Sequence, residues 1–217
     1  MMIAFESVLS GEDLIRALEE AASLPFVDGK ATAGAAARAV KANEQARPDA
    51  AAGLIGFVHA ALSRHAAFQA AAQVKRFGPV LVSRYRPGMT YGVHVDNPIM
   101  DGVRTDLSFT LFLSEPDAYD GGALRLDLPI GAQSVRLPAG GLLLYPTGAL
   151  HEVEPVTRGE RLAVVGWIQS RVRSPDARET LFDLANVRAA LADGAADAHA
   201  RLLLQKVEAS LIRMWSE

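Results

Sequence analysis

An α+β protein built on a double-stranded β-helix (jelly roll) is the fold class this sequence predicts, with N-terminal helices and a C-terminal helical hairpin around the core. Three observations carry that expectation. Alanine-rich helical periodicity runs through residues 10–72, short apolar segments cut by turn residues follow from about 78 to 172, and helical spacing returns after residue 173. The expected organisation is therefore a helical region over 1–77 packed on the barrel, a jelly roll over 78–172 and a helical region over 173–217.

In the first region, Ser10 with Asp13 three residues on resembles a capping pair, and Leu14, Ile15 and Leu18 recur at helical spacing. Leu54, Ile55, Val58, Ala61, Leu62 and Phe68 continue an apolar stripe, while Pro25, Gly29 and Pro48 punctuate the stretch between. In the second region, strands are expected at 79–85, 91–96, 106–113, 123–128, 132–137, 141–146, 150–155 and 161–170. Turns between them come from Arg86-Pro87-Gly88, Asp120-Gly121-Gly122, Pro138-Ala139-Gly140-Gly141 and Thr157-Arg158-Gly159. Eight such strands suit two packed sheets. In the third region, Ser174-Pro175 reads as an N-cap and first helical proline, followed by Leu181, Leu184, Val187 and Leu191 on one face. A second stripe of Leu203, Val207, Leu211 and Met214 lies beyond a break near Gly194, and these faces leave open self-association as a homo-oligomer.

Half of the 217 residues are apolar, which argues for a globular chain. A net charge of -3 gives no electrostatic ground for binding nucleic acid or an anionic membrane, so neither partner is expected. No basic-then-apolar leader or spanning stretch is visible, so the cytoplasm is the expected location. With no cysteine in the chain, any metal must sit on His, Asp or Glu.

His94 and Asp96 lie in Tyr91-Gly92-Val93-His94-Val95-Asp96, and on a strand residues two apart share a face. An imidazole and a carboxylate are thus set side by side, and His151, opening another expected strand, would complete two nitrogens and one oxygen on one side of a metal. The tripeptide His-x-Asp is short, and on its own reads first as an ordinary hydrogen-bonded pair in a sheet, with His151 unrelated. Arg161 follows His151 by ten residues, across a short turn at Val156 to Glu160, and is expected on the neighbouring antiparallel strand. Two strand residues span roughly 6.6 Å, the scale that separates a metal from the far carboxylate of a small dicarboxylic acid chelating it. A guanidinium binds such a carboxylate through a fork of charge-assisted hydrogen bonds. Arg104, Arg125 and Arg136 read as solvated strand charges, and His59, His65 and His199 as packed or surface residues.

The run Tyr85-x5-Tyr91-x2-His94-x-Asp96, followed by His151 and Arg161, resembles the Fe(II)- and 2-oxoglutarate-dependent dioxygenases of the prolyl/lysyl hydroxylase type. Within these, residues 26–34 and 155–161, with Trp167-Ile168-Gln169-Ser170 and Leu181-Phe182-Asp183-Leu184, are similar to the bacterial PKHD-type hydroxylases associated with iron uptake. The resemblance implies that His94, Asp96 and His151 ligate Fe(II), that Arg161 pairs with the C5 carboxylate of 2-oxoglutarate, and that L-ascorbate keeps the iron reduced. Tyr85 either adds a hydrogen bond near this cosubstrate or is a buried tyrosine satisfied elsewhere. The implied reaction takes O2, hydroxylates a small-molecule or peptidyl substrate, and releases succinate and CO2. Two other readings fit the same residues: a non-catalytic sensor of iron and 2-oxoglutarate, and a Zn or Mn jelly-roll isomerase or hydrolase.

Overall fold

Alternation of side chains in Leu107-Ser108-Phe109-Thr110-Leu111 shows how the sheets arise: residues of one parity meet helices, and those of the other face the barrel interior. A computed structural model describes residues 1–32, 35–192 and 198–217. The N-terminal part comprises β1 (Ile3–Phe5), α1 (Gly11–Ala22), β2 (Phe26–Asp28), a single 3-10 turn (Gly29–Thr32), α2 (Ala35–Val40), β3 (Lys41–Ala42), β4 (Glu44–Ala46), α3 (Pro48–Arg64) and α4 (Ala66–Ala72). Next come β5 (Val74–Tyr85), β6 (Thr90–His94), β7 (Ile99–Met100), β8 (Val103–Arg104), β9 (Leu107–Phe112), β10 (Tyr119–Gly121), β11 (Leu124–Leu128) and β12 (Gly131–Val135). The remaining elements are β13 (Leu142–Pro146), β14 (Leu150–Val153), β15 (Val156–Gly159), β16 (Arg161–Ser170), α5 (Pro175–Ala192) and α6 (Ala198–Trp215).

The eight strands expected from sequence divide into two antiparallel quartets, β13-β9-β16-β5 and β12-β11-β14-β6, which is the jelly roll. Short strands extend both: β1, β4 and β2 lengthen the first sheet to seven, and β3 lengthens the second to five. Of these, β2, β3 and β4 fall in the stretch punctuated by Pro25, Gly29 and Pro48, and β1 precedes α1. Residues 41–46 step from the edge of the smaller sheet at β3, paired with β6, to the larger sheet at β4, paired with β5. The segment expected as a turn at Val156 to Glu160 contains β15, because its backbone pairs with β10 instead of water. Arg161 accordingly does not sit on a strand beside β14. It begins β16 in the opposite sheet.

Helices α3 and α4 cover the larger sheet. Leu54, Val58, Leu62 and Phe68 are fully buried there, each contributing roughly 1.5–3 kcal/mol. Phe68 meets Phe109 edge-on, and Phe109 in turn occupies the space above Gly166, where a Cβ would lie 2.5 Å from its ring. Ser10 occupies the N-cap of α1 without a side-chain capping bond. Between the sheets, Tyr85, Phe112, Leu124, Leu126, Leu143, Tyr145, Val153 and Val156 form a second core that walls the barrel interior.

At the C-terminus, Ser174 Oγ accepts from the Ala177 amide at 3.3 Å and caps α5. Leu181 is buried with Val172 and Ala177 against Leu211, Ile212 and Trp215. α5 and α6 run antiparallel, with Arg188–Glu208 (3.5 Å) pairing between them and Arg173–Glu217 (3.0 Å) at their flanks. Leu203, Val207 and Met214 of the second stripe are exposed, and Gly194 lies outside the described residues. Among the described residues, no helix is long and apolar enough to cross a membrane.

Candidate metal centre and its cavity

The smaller sheet brings two imidazoles together by register. His151 on β14 stands opposite His94 on β6, with ring centroids 4.3 Å apart. Asp96 lies two residues beyond His94, just past the end of β6, and its carboxylate faces both rings. His94 Nε2 is 3.7 Å from Asp96 Oδ1, and His151 Nε2 is 3.6 Å from Oδ2. All three side chains are buried.

Each imidazole is oriented from behind. His94 Nδ1 donates to the Gly92 carbonyl at 2.8 Å and His151 Nδ1 to the Ala149 carbonyl at 2.9 Å, the tautomer in which both Nε2 lone pairs point at the shared space. Burial, with His151 adding to it, holds the His94 imidazolium down to about 4, so the ring is neutral at physiological pH, as metal ligation requires. Tyr91 stacks on His94 with centroids 3.6 Å apart. The carboxylate is steered in the same manner: Asp96 Oδ2 accepts from Trp167 Nε1 at 2.8 Å and Ser108 Oγ at 2.9 Å. Ser108 and Trp167 are cross-strand partners on β9 and β16, so the larger sheet reaches over to position a carboxylate carried by the smaller one. The three groups could hold one divalent metal. Removing the indole donor with Trp167→Phe, which keeps a ring in place, is expected to weaken divalent-metal affinity about tenfold, as measured by anaerobic metal titration.

Arg161 is 1 % exposed, yet its Nε and one terminal nitrogen have no hydrogen-bond partner among the described residues. Its guanidinium lies 5.2 Å from the Tyr85 ring centroid and 5.4 Å from that of Phe112. Arg161 is paired with Tyr85 across β16 and β5. Burial pushes the Tyr85 phenol up, while Arg161 and the Asn43 amide pull it back. Gly122, at φ +60, leaves room for the arginine stem, since a Cβ there would lie 3.2 Å from Arg161 Cδ.

Tyr85, His94, Asp96, His151 and Arg161 all line one cavity of about 610 Å³. Sequence reasoning missed Ser108, Trp167 and a wall supplied by the N-terminal segment: Thr32, Lys41, Asn43 and Gln45. A signal for that wall existed in the period-two spacing of Lys41, Asn43 and Gln45. Of the arginines expected as solvated strand charges, Arg104 is half-buried. Arg104 pairs with Asp106 and Glu217, Arg125 with Glu152, and Arg136 donates to the Tyr119 carbonyl. His59 stacks on Phe77, and His65 Nδ1 accepts from the Phe68 amide to cap α4.

Comparison with known proteins agrees with this geometry. The family model of the 2OG-Fe(II) oxygenase superfamily matches residues 80–169, the stretch that carries the triad and Arg161. A PKHD-type hydroxylase of Maricaulis maris is 48 % identical over the full length of both chains. Among solved structures, a prolyl-4-hydroxylase of Pseudomonas putida is 25 % identical with TM-score 0.51, covering 78 % of this chain and 92 % of its own. A Trichoplax adhaerens prolyl hydroxylase, solved with a hypoxia inducible factor peptide fragment, shares the fold at TM-score 0.56 and 17 % identity, covering 84 % of this chain and 86 % of its own. Full-length identity of this order to a curated relative, with an oxygenase match over the barrel, is what shared descent leaves: the chain belongs to the PKHD-type hydroxylases of the 2OG-Fe(II) oxygenase superfamily and is a dioxygenase.

Proposed function

We propose that this dioxygenase hydroxylates its substrate with Fe(II) held by His94 Nε2, Asp96 and His151 Nε2, with 2-oxoglutarate anchored by Arg161 and consumed to succinate and CO2. Residues 78–172 would form the catalytic unit, flanked by supporting regions at 1–77 and 173–217. The observation that carries this reading is the Arg161 guanidinium, fully buried with unpartnered donors in the same cavity as two imidazoles and a carboxylate. A buried cation is costly until an anion meets it, so the donor set fits a ligand that brings a carboxylate to this end and chelates metal with the other.

When bound, the ferrous ion and 2-oxoglutarate supply the oxygen-activating chemistry for C–H hydroxylation, and L-ascorbate would serve to keep the iron reduced. The protein's share is positional. Gly92 and Ala149 carbonyls hold the imidazole Nδ1 protons away from the metal, Trp167 and Ser108 restrain Asp96, and Tyr145, Leu124 and Val153 keep the interior poor in water. Tyr85 forms the floor beneath the guanidinium.

Anaerobic addition of Fe(II) and 2-oxoglutarate to the purified chain is expected to produce the weak visible charge-transfer band of a keto acid chelate, and admission of air to produce succinate. A zinc hydrolase would show no band. A sensor would show the band without succinate.

A further inference from the structure

Lys41 is 4 % exposed and lines the cavity, yet among the described residues no carboxylate oxygen lies within 4.0 Å of its ammonium. Its hydrogen bond goes to a neutral group, Thr32 Oγ1 at 2.9 Å, and its ammonium stands 5.1 Å from the Tyr91 ring centroid. Thr32 is itself tied to Gln45, and Gln45 to Ser83, so the ammonium is held in place by a polar chain that offers no counter-charge. Burial pulls the lysine down to about 8, with the more distant Asp96 and Asp28 opposing, so it remains charged at neutral pH. Next along the same wall is Asn43, also 4 % exposed, whose amide packs over Gly29 and influences the Tyr85 phenol but completes no hydrogen bond of full geometry among the described residues.

Charge balance sharpens the point and rests on the cosubstrate reading above. A ferrous ion, Asp96, Arg161 and the 2-oxoglutarate dianion cancel among themselves. The remaining charged residues on the lining are Lys41 and Asp101, and Asp101 is exposed on a turn, where water screens it. A loaded cavity therefore keeps one buried positive charge with no carboxylate in contact, beside an amide with hydrogen-bonding capacity to spare. A substrate carboxylate answers both, whereas an uncharged substrate leaves the ammonium without its counter-charge.

We propose that Lys41, with Asn43 beside it, selects the substrate by binding a carboxylate group that the substrate carries, so that the molecule hydroxylated is an organic acid.

The test uses the full chain loaded anaerobically with Fe(II) and saturating 2-oxoglutarate, and as probes a panel of N-acetyl-L-amino acids beside their primary amides. The readout is perturbation of the keto acid charge-transfer band as each probe is added, followed by a search for products heavier by one oxygen under air. Acids are expected to perturb the band at concentrations at least about tenfold lower than their amides. Lys41→Met should weaken the acids by about 10- to 100-fold and erase that preference, while Lys41→Arg retains it. Titration of Lys41→Met with 2-oxoglutarate should match the parent protein, which also shows that the variant is folded. The proposal is overturned if amides match acids, if no acid perturbs the band, if Lys41→Met keeps the preference, or if that variant binds 2-oxoglutarate more weakly. Absence of the band in the parent protein would instead overturn the cosubstrate reading, and this proposal with it.

Discussion

Asp96→Ala is expected to abolish retention of Fe(II), weakening it by more than about 100-fold, beyond the 10- to 100-fold that follows loss of a ligand's hydrogen-bonding neighbour. The carboxylate is the negative member of the buried triad, it stands 3.6–3.7 Å from both imidazole nitrogens, and it is fixed by Trp167 and Ser108. Alanine removes a ligand and leaves the indole N–H and the serine hydroxyl facing an empty space. The two neutral imidazoles that remain cannot offset a dication's loss of hydration as three ligands can. Anaerobic iron titration followed by the charge-transfer band would check it, and near-normal affinity would remove Asp96 from the centre.

For Arg161→Met two effects of opposite character are expected. Affinity for 2-oxoglutarate should fall by about 1.5–3 kcal/mol, roughly 10- to 150-fold, because hydrogen bonds to a charged group are lost. Stability without cosubstrate should hardly change. The guanidinium forfeits its contacts with the Tyr85 and Phe112 rings, but a buried charge with unsatisfied donors is also removed, and these oppose each other. Thermal melts with and without 2-oxoglutarate separate the two: the parent protein should be stabilised by the ligand and the variant much less. An unchanged ligand-induced shift would count against the role of Arg161.

How much of this was legible in the sequence depends on length scale. Strands such as β9 and β16, six and ten residues long, were readable because their apolar runs between turn residues had to be buried. So was the shared face of His94 and Asp96, which needs only a period of two. β2, β3 and β4 were not readable, because two or three residues contain too little pattern and their stability comes from the neighbours they pair with. In Lys41-Ala42-Asn43-Glu44-Gln45 the polar Glu44 also interrupts the alternation, since it faces Arg84 instead of the cavity. The placement of Arg161 failed for a topological reason. Ten residues after His151 suggested an adjacent strand, but β15 intervenes and delivers the chain to the other sheet. Trp167 was noticed only as part of a resemblance, since nothing local tells an indole that it will meet a carboxylate 71 positions away.

The division of labour between the sheets has a further consequence. His94 and His151 ride on one layer and Arg161 on the other, so the span between the imidazole pair and the guanidinium is set by how thickly Phe112, Leu124, Leu143 and Tyr145 fill the gap. On the proposed reading the stuffing of the sandwich would act as a caliper on keto diacids, with discrimination by chain length resting on hydrophobic residues that never perform chemistry.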